Sequence, residues 1–203
     1  MEQALQTYIF IGRSGCGKGT QAELLIAEMK KSGAVSDKNP LFYIETGNKF
    51  RDLISKTSHT SRIAKEIMDR SERQPDFLAT WNWADLLVTN LMGDEHIVLD
   101  GTPRSLPEAQ ILDTALKFYR REKSVVVYLD VSNEWSKKRL EDRGRADDKT
   151  AGDIAKRLAW FESDVLPAIE FYENNPDYQF VKVNGEQGIE EVHAELMGKI
   201  ELS

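Results

Sequence analysis

Five short apolar runs punctuate the chain: Tyr8-Ile-Phe-Ile11, Leu41-Phe-Tyr-Ile44, Ile97-Val-Leu99, Val125-Val-Val-Tyr-Leu129 and Phe180-Val-Lys-Val183. They are near-continuously apolar rather than alternating, which predicts strands covered on both faces of a parallel sheet. Longer amphipathic stretches with helical spacing, such as Gln21–Met29 and Ile154–Tyr172, lie between them. Alternation of this kind predicts βαβ units and a three-layer α/β fold around a five-stranded parallel sheet. Pro167, inside the last amphipathic stretch, predicts a kink. No internal repeat or low-complexity tract is visible, so the 203 residues are expected to form one domain.

Two intervals break the alternation. Residues 45–96 are too long for one crossover and read as several helices. Residues 144–152 are polar, with no large apolar side chain to anchor them. Long insertions and polar loops beside a rigid sheet are where lids and binding elements sit. Trp81 and Trp83 fall on a helix-like stretch and are expected to pack the base of the longer excursion.

Candidate chemistry begins after the first run. Gly12-Arg-Ser-Gly15-Cys-Gly17-Lys18-Gly19-Thr20 satisfies G-x-x-x-x-G-K, with Gly19 at the usual Ser/Thr position and Thr20 one place later. Glycines let backbone N–H groups converge on phosphate oxygens, the helix N-terminus adds partial positive charge, and Lys18 adds a point charge. Asp100, at the end of the third run, is placed to hold Mg²⁺ directly or through water. Bringing two polyphosphates together costs about 4 kcal/mol per unit charge pair at 4 Å and an effective dielectric of 20. Arginine offsets this, because its fork matches phosphate oxygens. Arg51, Arg104, Arg139, Arg143, Arg145 and Arg157 are available, with Arg139 and Arg143 on one helical face.

Composition then narrows the partners. Lys+Arg number 27 against Asp+Glu 34, a net charge of -7, so a generic nucleic-acid binder is disfavoured and any bound anion must meet a local cationic cluster. The single cysteine, Cys16, fits a reducing compartment, and beside Lys18 at a helix N-terminus it is expected to be a reactive thiol. No apolar run approaches about 18 residues and the N-terminus lacks signal-peptide character, so a cytoplasmic protein without membrane contact is expected. His59, His96 and His193 have no ligand-spaced partners and are read as structural.

Several segments, in order, resemble the adenylate kinase family. Gly12–Gln21 is similar to its G-x-P-G-S-G-K-G-T-Q loop, Glu45-Thr-Gly-Asn-Lys-Phe-Arg51 to S-T-G-D-x-x-R, and Asp100-Gly-Thr-Pro-Arg104 to D-G-F-P-R. Arg139-Leu-Glu-Asp-Arg143-Gly-Arg145-Ala-Asp-Asp148 and Lys156-Arg157-Leu158 resemble the run around its lid, and Asn184-Gly185-Glu-Gln187 its last loop. The resemblance implies a P-loop nucleoside monophosphate kinase, with a core of residues 1–45, 77–142 and 154–203. It also implies a monophosphate-binding flap over 46–76 and a short lid over 143–153. It implies ATP contacts from Gly15, Cys16, Gly17, Lys18, Gly19, Thr20, Arg139, Arg143 and Gln187. Contacts to the acceptor monophosphate are implied for Thr46, Gly47, Arg51, Met68, Gln74, Gly101, Arg104, Glu108, Arg145 and Arg157. Lys18, Arg104, Arg139, Arg145 and Arg157 would be catalytic, with Asp100 orienting Mg²⁺ through water. No zinc is implied, since the lid carries no cysteines, and the acting form would be a monomer.

The departures fall on the acceptor side. Asn48 stands where the family has Asp, Thr102 where it has Phe, and Arg73-Gln74 where it has a small apolar segment. Glu108 replaces the Gln that reads adenine; a carboxylate only accepts, so it would suit guanine better than adenine. Three readings therefore stand: ATP + AMP giving two ADP, a same-fold kinase for GMP, CMP or UMP, or a nucleotide-binding protein without turnover.

Overall fold

The computed structural model of the protein describes residues 5–143 and 150–202. Its five strands are β1 (Thr7–Gly12), β2 (Leu41–Glu45), β3 (His96–Asp100), β4 (Val125–Asp130) and β5 (Gln179–Asn184). All neighbours pair in parallel, in the order β2-β3-β1-β4-β5. The inner strand β1 is buried along its whole length, as the continuous apolar run predicts. The edge strands differ from that expectation. β5 alternates, with Val181 and Val183 inward and Lys182 exposed, because an edge strand is covered on fewer sides.

Strand alternation sorts the core into two layers. Tyr8 and Phe10 face α1 (Lys18–Ser32) and α9 (Ile189–Met197), meeting Leu25, Met29, Val192 and Leu196. Ile9 and Ile11 face the opposite layer, built by α4 (Asp76–Asn90), α5 (Leu106–Phe118) and α8 (Leu166–Glu173), where Trp83, Leu112 and Tyr172 are buried. Burying each such side chain contributes about 1.5–3 kcal/mol. Trp83 is fully enclosed as expected, whereas Trp81 stays 40% exposed with the Lys49 ammonium 4.6 Å above its ring.

The long interval after β2 forms α2 (Thr46–Ser55), α3 (His59–Asp69) and α4. α2 and α3 pack on a small core of their own, Leu53, Ala64 and Leu78, apart from the sheet. Likewise α6 (Asn133–Arg143) and α7 (Ala151–Trp160) share Leu140, Ile154 and Leu158. Thr150 caps α7 reciprocally with Asp153. Ahead of Pro167, where a kink is expected, a π turn over Phe161–Val165 joins α7 to α8. Proline has no N–H and its ring excludes the carbonyl four residues back, so a widened turn accommodates it. Among the described residues no helix is long and apolar enough to cross a membrane.

His96 ties three segments together. Its Nδ1 accepts from the Gln6 backbone N–H at 3.0 Å while its Nε2–H donates to the Ala34 carbonyl at 3.1 Å, which requires the neutral ring. Burial pushes its pKa down, as it does for His193. The unfolded chain therefore binds protons more readily, so this contribution is complete above the ordinary imidazole value near 6.5 and is lost as pH falls toward the lower folded values. Urea midpoints measured from pH 7.5 to 5.5 should fall, and His96→Gln should show a shallower fall from a lower starting point. An unchanged slope in the variant would contradict this assignment.

Candidate active site

The loop joining β1 to α1 lies at the carboxyl edge of the sheet, where ligands meet open parallel sheets. Gly15 has φ +84, and a Cβ there would sit 3.1 Å from Leu140 Cγ, so only glycine lets α6 approach this closely. Gly19 answers the altered motif position: a Cβ there would lie 3.1 Å from Asp100 Oδ2. Lys18 Nζ donates to the carbonyls of Gly12 and Arg13, both at 2.8 Å, which fixes the ammonium in the loop mouth. Arg13 braces the loop from outside, donating to Val131 O at 3.0 Å and Glu162 Oε1 at 2.6 Å, with its guanidinium 3.8 Å from the Phe161 ring centre. The Ser136 hydroxyl also donates to the Ser14 carbonyl. Cys16 is only 3% exposed: it packs into the core beneath the loop, with its sulfur accepting from Lys18 Nζ at 3.5 Å, so little of the thiol is open to a reagent.

A cleft of about 600 Å³ opens from this loop toward α2 and α3. It brings Lys18, Arg51, Arg104, Arg139 and Arg157 to one space. Gly15, Gly17, Gly19 and Thr20 line it from the loop, and Asp100 and Gly101 from the end of β3. Thr46, Gly47, Met68, Gln74 and Glu108 line the far side. Gln187 does not line it; its amide donates to Asn184 O at 3.0 Å and Glu195 Oε2 at 2.7 Å. Arg145, Asp147 and Asp148, and the side chain of Arg143, lie outside the described residues.

Lys18, Arg51 and Arg104 are held by local acceptors. Arg104 Nε donates to Gly101 O at 2.6 Å, and the Thr46 hydroxyl donates to the same carbonyl at 3.1 Å. Although Arg104 opens to the cleft, the protein packed around its guanidinium lowers its pKa by desolvation. Glu108 and Asp100 oppose that shift, and the charges of Arg157 and Arg73 add to it. Arg51 donates to Glu45 Oε1 at 3.2 Å and to the Asn48 side-chain oxygen, so Asn48 orients Arg51. Asp100 Oδ2 accepts from the Tyr43 hydroxyl at 3.3 Å. Burial, then the Asp100 and Glu45 charges, hold that phenol protonated well above its ordinary value.

The departures have physical counterparts. Glu108 is 2% exposed, and its carboxylate accepts from Trp83, Thr102 and the Arg104 backbone. Although it borders the cleft, both its oxygens already accept from the protein, which weakens the argument for guanine drawn from its charge. Gln74 is also buried; its Nε2 donates to Ala64 O at 2.8 Å while its Oε1 has no hydrogen-bond partner. Arg73 was not among the candidates. It borders both the cleft and a smaller cavity shared with Lys18, Arg104 and Arg157, paired with Asp76 at 2.8 Å and Asp164 at 3.3 Å. The signal for it was the charge at a position where the resembling family is apolar. Beside it, Ser71 donates to Asp153 at 2.6 Å and Lys156 to Arg70 O at 2.8 Å, joining the end of α3 to α7.

Comparison with known proteins gives a consistent result. A sequence profile described as adenylate kinase matches residues 10–176. An adenylate kinase of Phocaeicola vulgatus is 30% identical over 200 residues, covering 95% of this chain and 97% of the relative. Adenylate kinases of Flavobacterium psychrophilum and Prochlorococcus marinus subsp. pastoris are 30% and 32% identical, covering 91% and 88% of this chain and 92% and 89% of their own. With a phosphate loop at the carboxyl edge of a 2-3-1-4-5 parallel sheet and a cation-lined cleft beside it, the chain belongs to the adenylate kinase family of ATP-dependent nucleoside-monophosphate phosphotransferases.

Proposed function

We propose that the protein transfers the γ-phosphoryl group of ATP to AMP, giving two ADP. The observation that supports this reading is the one cleft that Lys18 and the phosphate loop line together with Arg51, Arg104, Arg139 and Arg157. In it the loop amides, Lys18 and Arg139 hold the ATP phosphates, while Thr46, Arg51 and Arg104 hold the acceptor phosphate. Arg157 faces the oxygens of the transferring group, and the family resemblance assigns Arg143 to the ATP phosphates and Arg145 to the transferring group. The acceptor is already an oxyanion, so no general base is required. Catalysis is positioning and electrostatic stabilisation, with closure of residues 46–76 and 143–153 excluding water.

Among the described residues no group of three His, Cys, Asp or Glu side chains could hold a metal unaided. The Asp100 carboxylate and the Thr20 hydroxyl are hard oxygen donors bordering the cleft, a fit for Mg²⁺ arriving with ATP. When bound, that ion neutralises phosphate charge. On the base side, the unpartnered Gln74 oxygen suits an exocyclic amino group, which adenine carries and uracil lacks. The lone cysteine supports a reducing compartment such as the cytosol.

Turnover with Mg-ATP should be greatest with AMP among AMP, GMP, CMP and UMP. Arg104→Ala should lower kcat/KM for AMP by about 10²-fold or more while ATP affinity stays within about threefold. Unchanged turnover would remove Arg104 from the acceptor site. Gln74→Leu should raise KM for AMP by about five- to tenfold, the value of one hydrogen bond, and leave KM for ATP unchanged. An unchanged KM for AMP would exclude Gln74 as a base contact.

A further inference from the structure

We propose that Glu108 is a positioning residue: its carboxylate holds the Thr102–Arg104 turn so that Arg104 meets the acceptor phosphate, and it does not read the base. This deepens the acceptor-site reading above and rests on it.

The geometry is specific to a carboxylate. Oε1 accepts from the Trp83 indole N–H at 3.0 Å and from the Thr102 hydroxyl. Oε2 accepts from the Arg104 backbone N–H at 2.7 Å. The indole and the backbone amide can only donate. A Gln here has one oxygen and one NH₂, so either orientation of its amide turns an NH₂ toward a fixed N–H donor. The Gln that the family carries is thus incompatible with this chain's own partners, and Glu108, Trp83 and Thr102 form one matched set.

That set is sealed. Glu108, Trp83 and Thr102 are 2%, 0% and 1% exposed, so its bonds form away from competing water. Its three contacts join two elements: Trp83 on α4, and Thr102 and Arg104 at the two ends of one turn. Arg104 is then fixed twice, by Glu108 at its backbone and by Gly101 O at its Nε. The Glu108 charge also favours the cationic form of Arg104 against desolvation. A group that fixes the phosphate-binding arginine acts on every nucleoside monophosphate alike. A group that reads the base acts on one.

The test compares wild type and Glu108→Gln in two assays. Kinetics with AMP and GMP should show KM rising by about tenfold for both, with the AMP/GMP ratio of kcat/KM preserved and KM for ATP unchanged. Titration with ribose 5-phosphate, which has the acceptor's sugar and phosphate but no base, should show the same loss of affinity. A shifted AMP/GMP ratio, or ribose 5-phosphate binding equal to wild type, would overturn the proposal. Should Glu108→Gln fail to fold by near-UV circular dichroism, Thr102→Val removes one donor while keeping side-chain shape. It should give the same uniform pattern at about two- to fivefold, and a base-selective change there would equally overturn it. A wild-type protein inactive on every monophosphate would refute the phosphotransfer reading, while the ribose 5-phosphate titrations would still decide the role of Glu108.

Discussion

Like charges must be held together before the anion that reconciles them arrives. Two cations 4 Å apart repel by about 4 kcal/mol at an effective dielectric of 20. The chain, itself acidic at -7, gives several of them a local acceptor. Lys18 is bound by two loop carbonyls, Arg104 by Gly101 O, Arg51 by Glu45 and Asn48, Arg73 by Asp76 and Asp164, and Arg13 by Glu162. Most of these partners are main-chain or short acidic groups at element ends. Arg104 and Arg51 therefore have a set direction before an anion binds.

The sheet makes such placement possible. Phe10, Glu45 and Asp100 lie in register at the same level of β1, β2 and β3, so the loop, α2 and the Asp100 turn all emerge along one edge. The π turn at Phe161–Val165 has a counterpart role. It presents Glu162 to Arg13 of the phosphate loop and Asp164 to Arg73 at the end of the α2–α3 excursion. The Arg73–Asp164 pair thus ties the end of the α2–α3 excursion to the π turn through a partly exposed contact, weak enough to exchange.

The fold was legible because buried parallel strands leave an unmistakable trace: Tyr8–Ile11 and Val125–Leu129 could hardly be anything else. The phosphate loop was legible because its chemistry is local, with every essential residue within one turn of chain. Glu108 was not. Read alone, it is a charge at a base-reading position, and its meaning depends on Trp83, 25 residues away, and on Thr102, whose hydroxyl replaces an apolar ring. Arg73 and Arg13 escaped for a similar reason, since an arginine's role is set by which carboxylates the fold brings to it. Linear patterns report burial and turn chemistry; they do not report which donor meets which acceptor across the core.

The central claim is that the acceptor arginine is oriented before substrate binds. It is tested most directly by the arginine Nε–H region of a ¹⁵N–¹H NMR spectrum of the ligand-free protein, with Arg104 assigned by the signal lost in Arg104→Lys. Donation to Gly101 O at 2.6 Å predicts a resolved, slowly exchanging Arg104 signal that persists when AMP is added. A signal absent from the free protein and appearing only with AMP would mean that substrate, not the fold, sets the direction of Arg104.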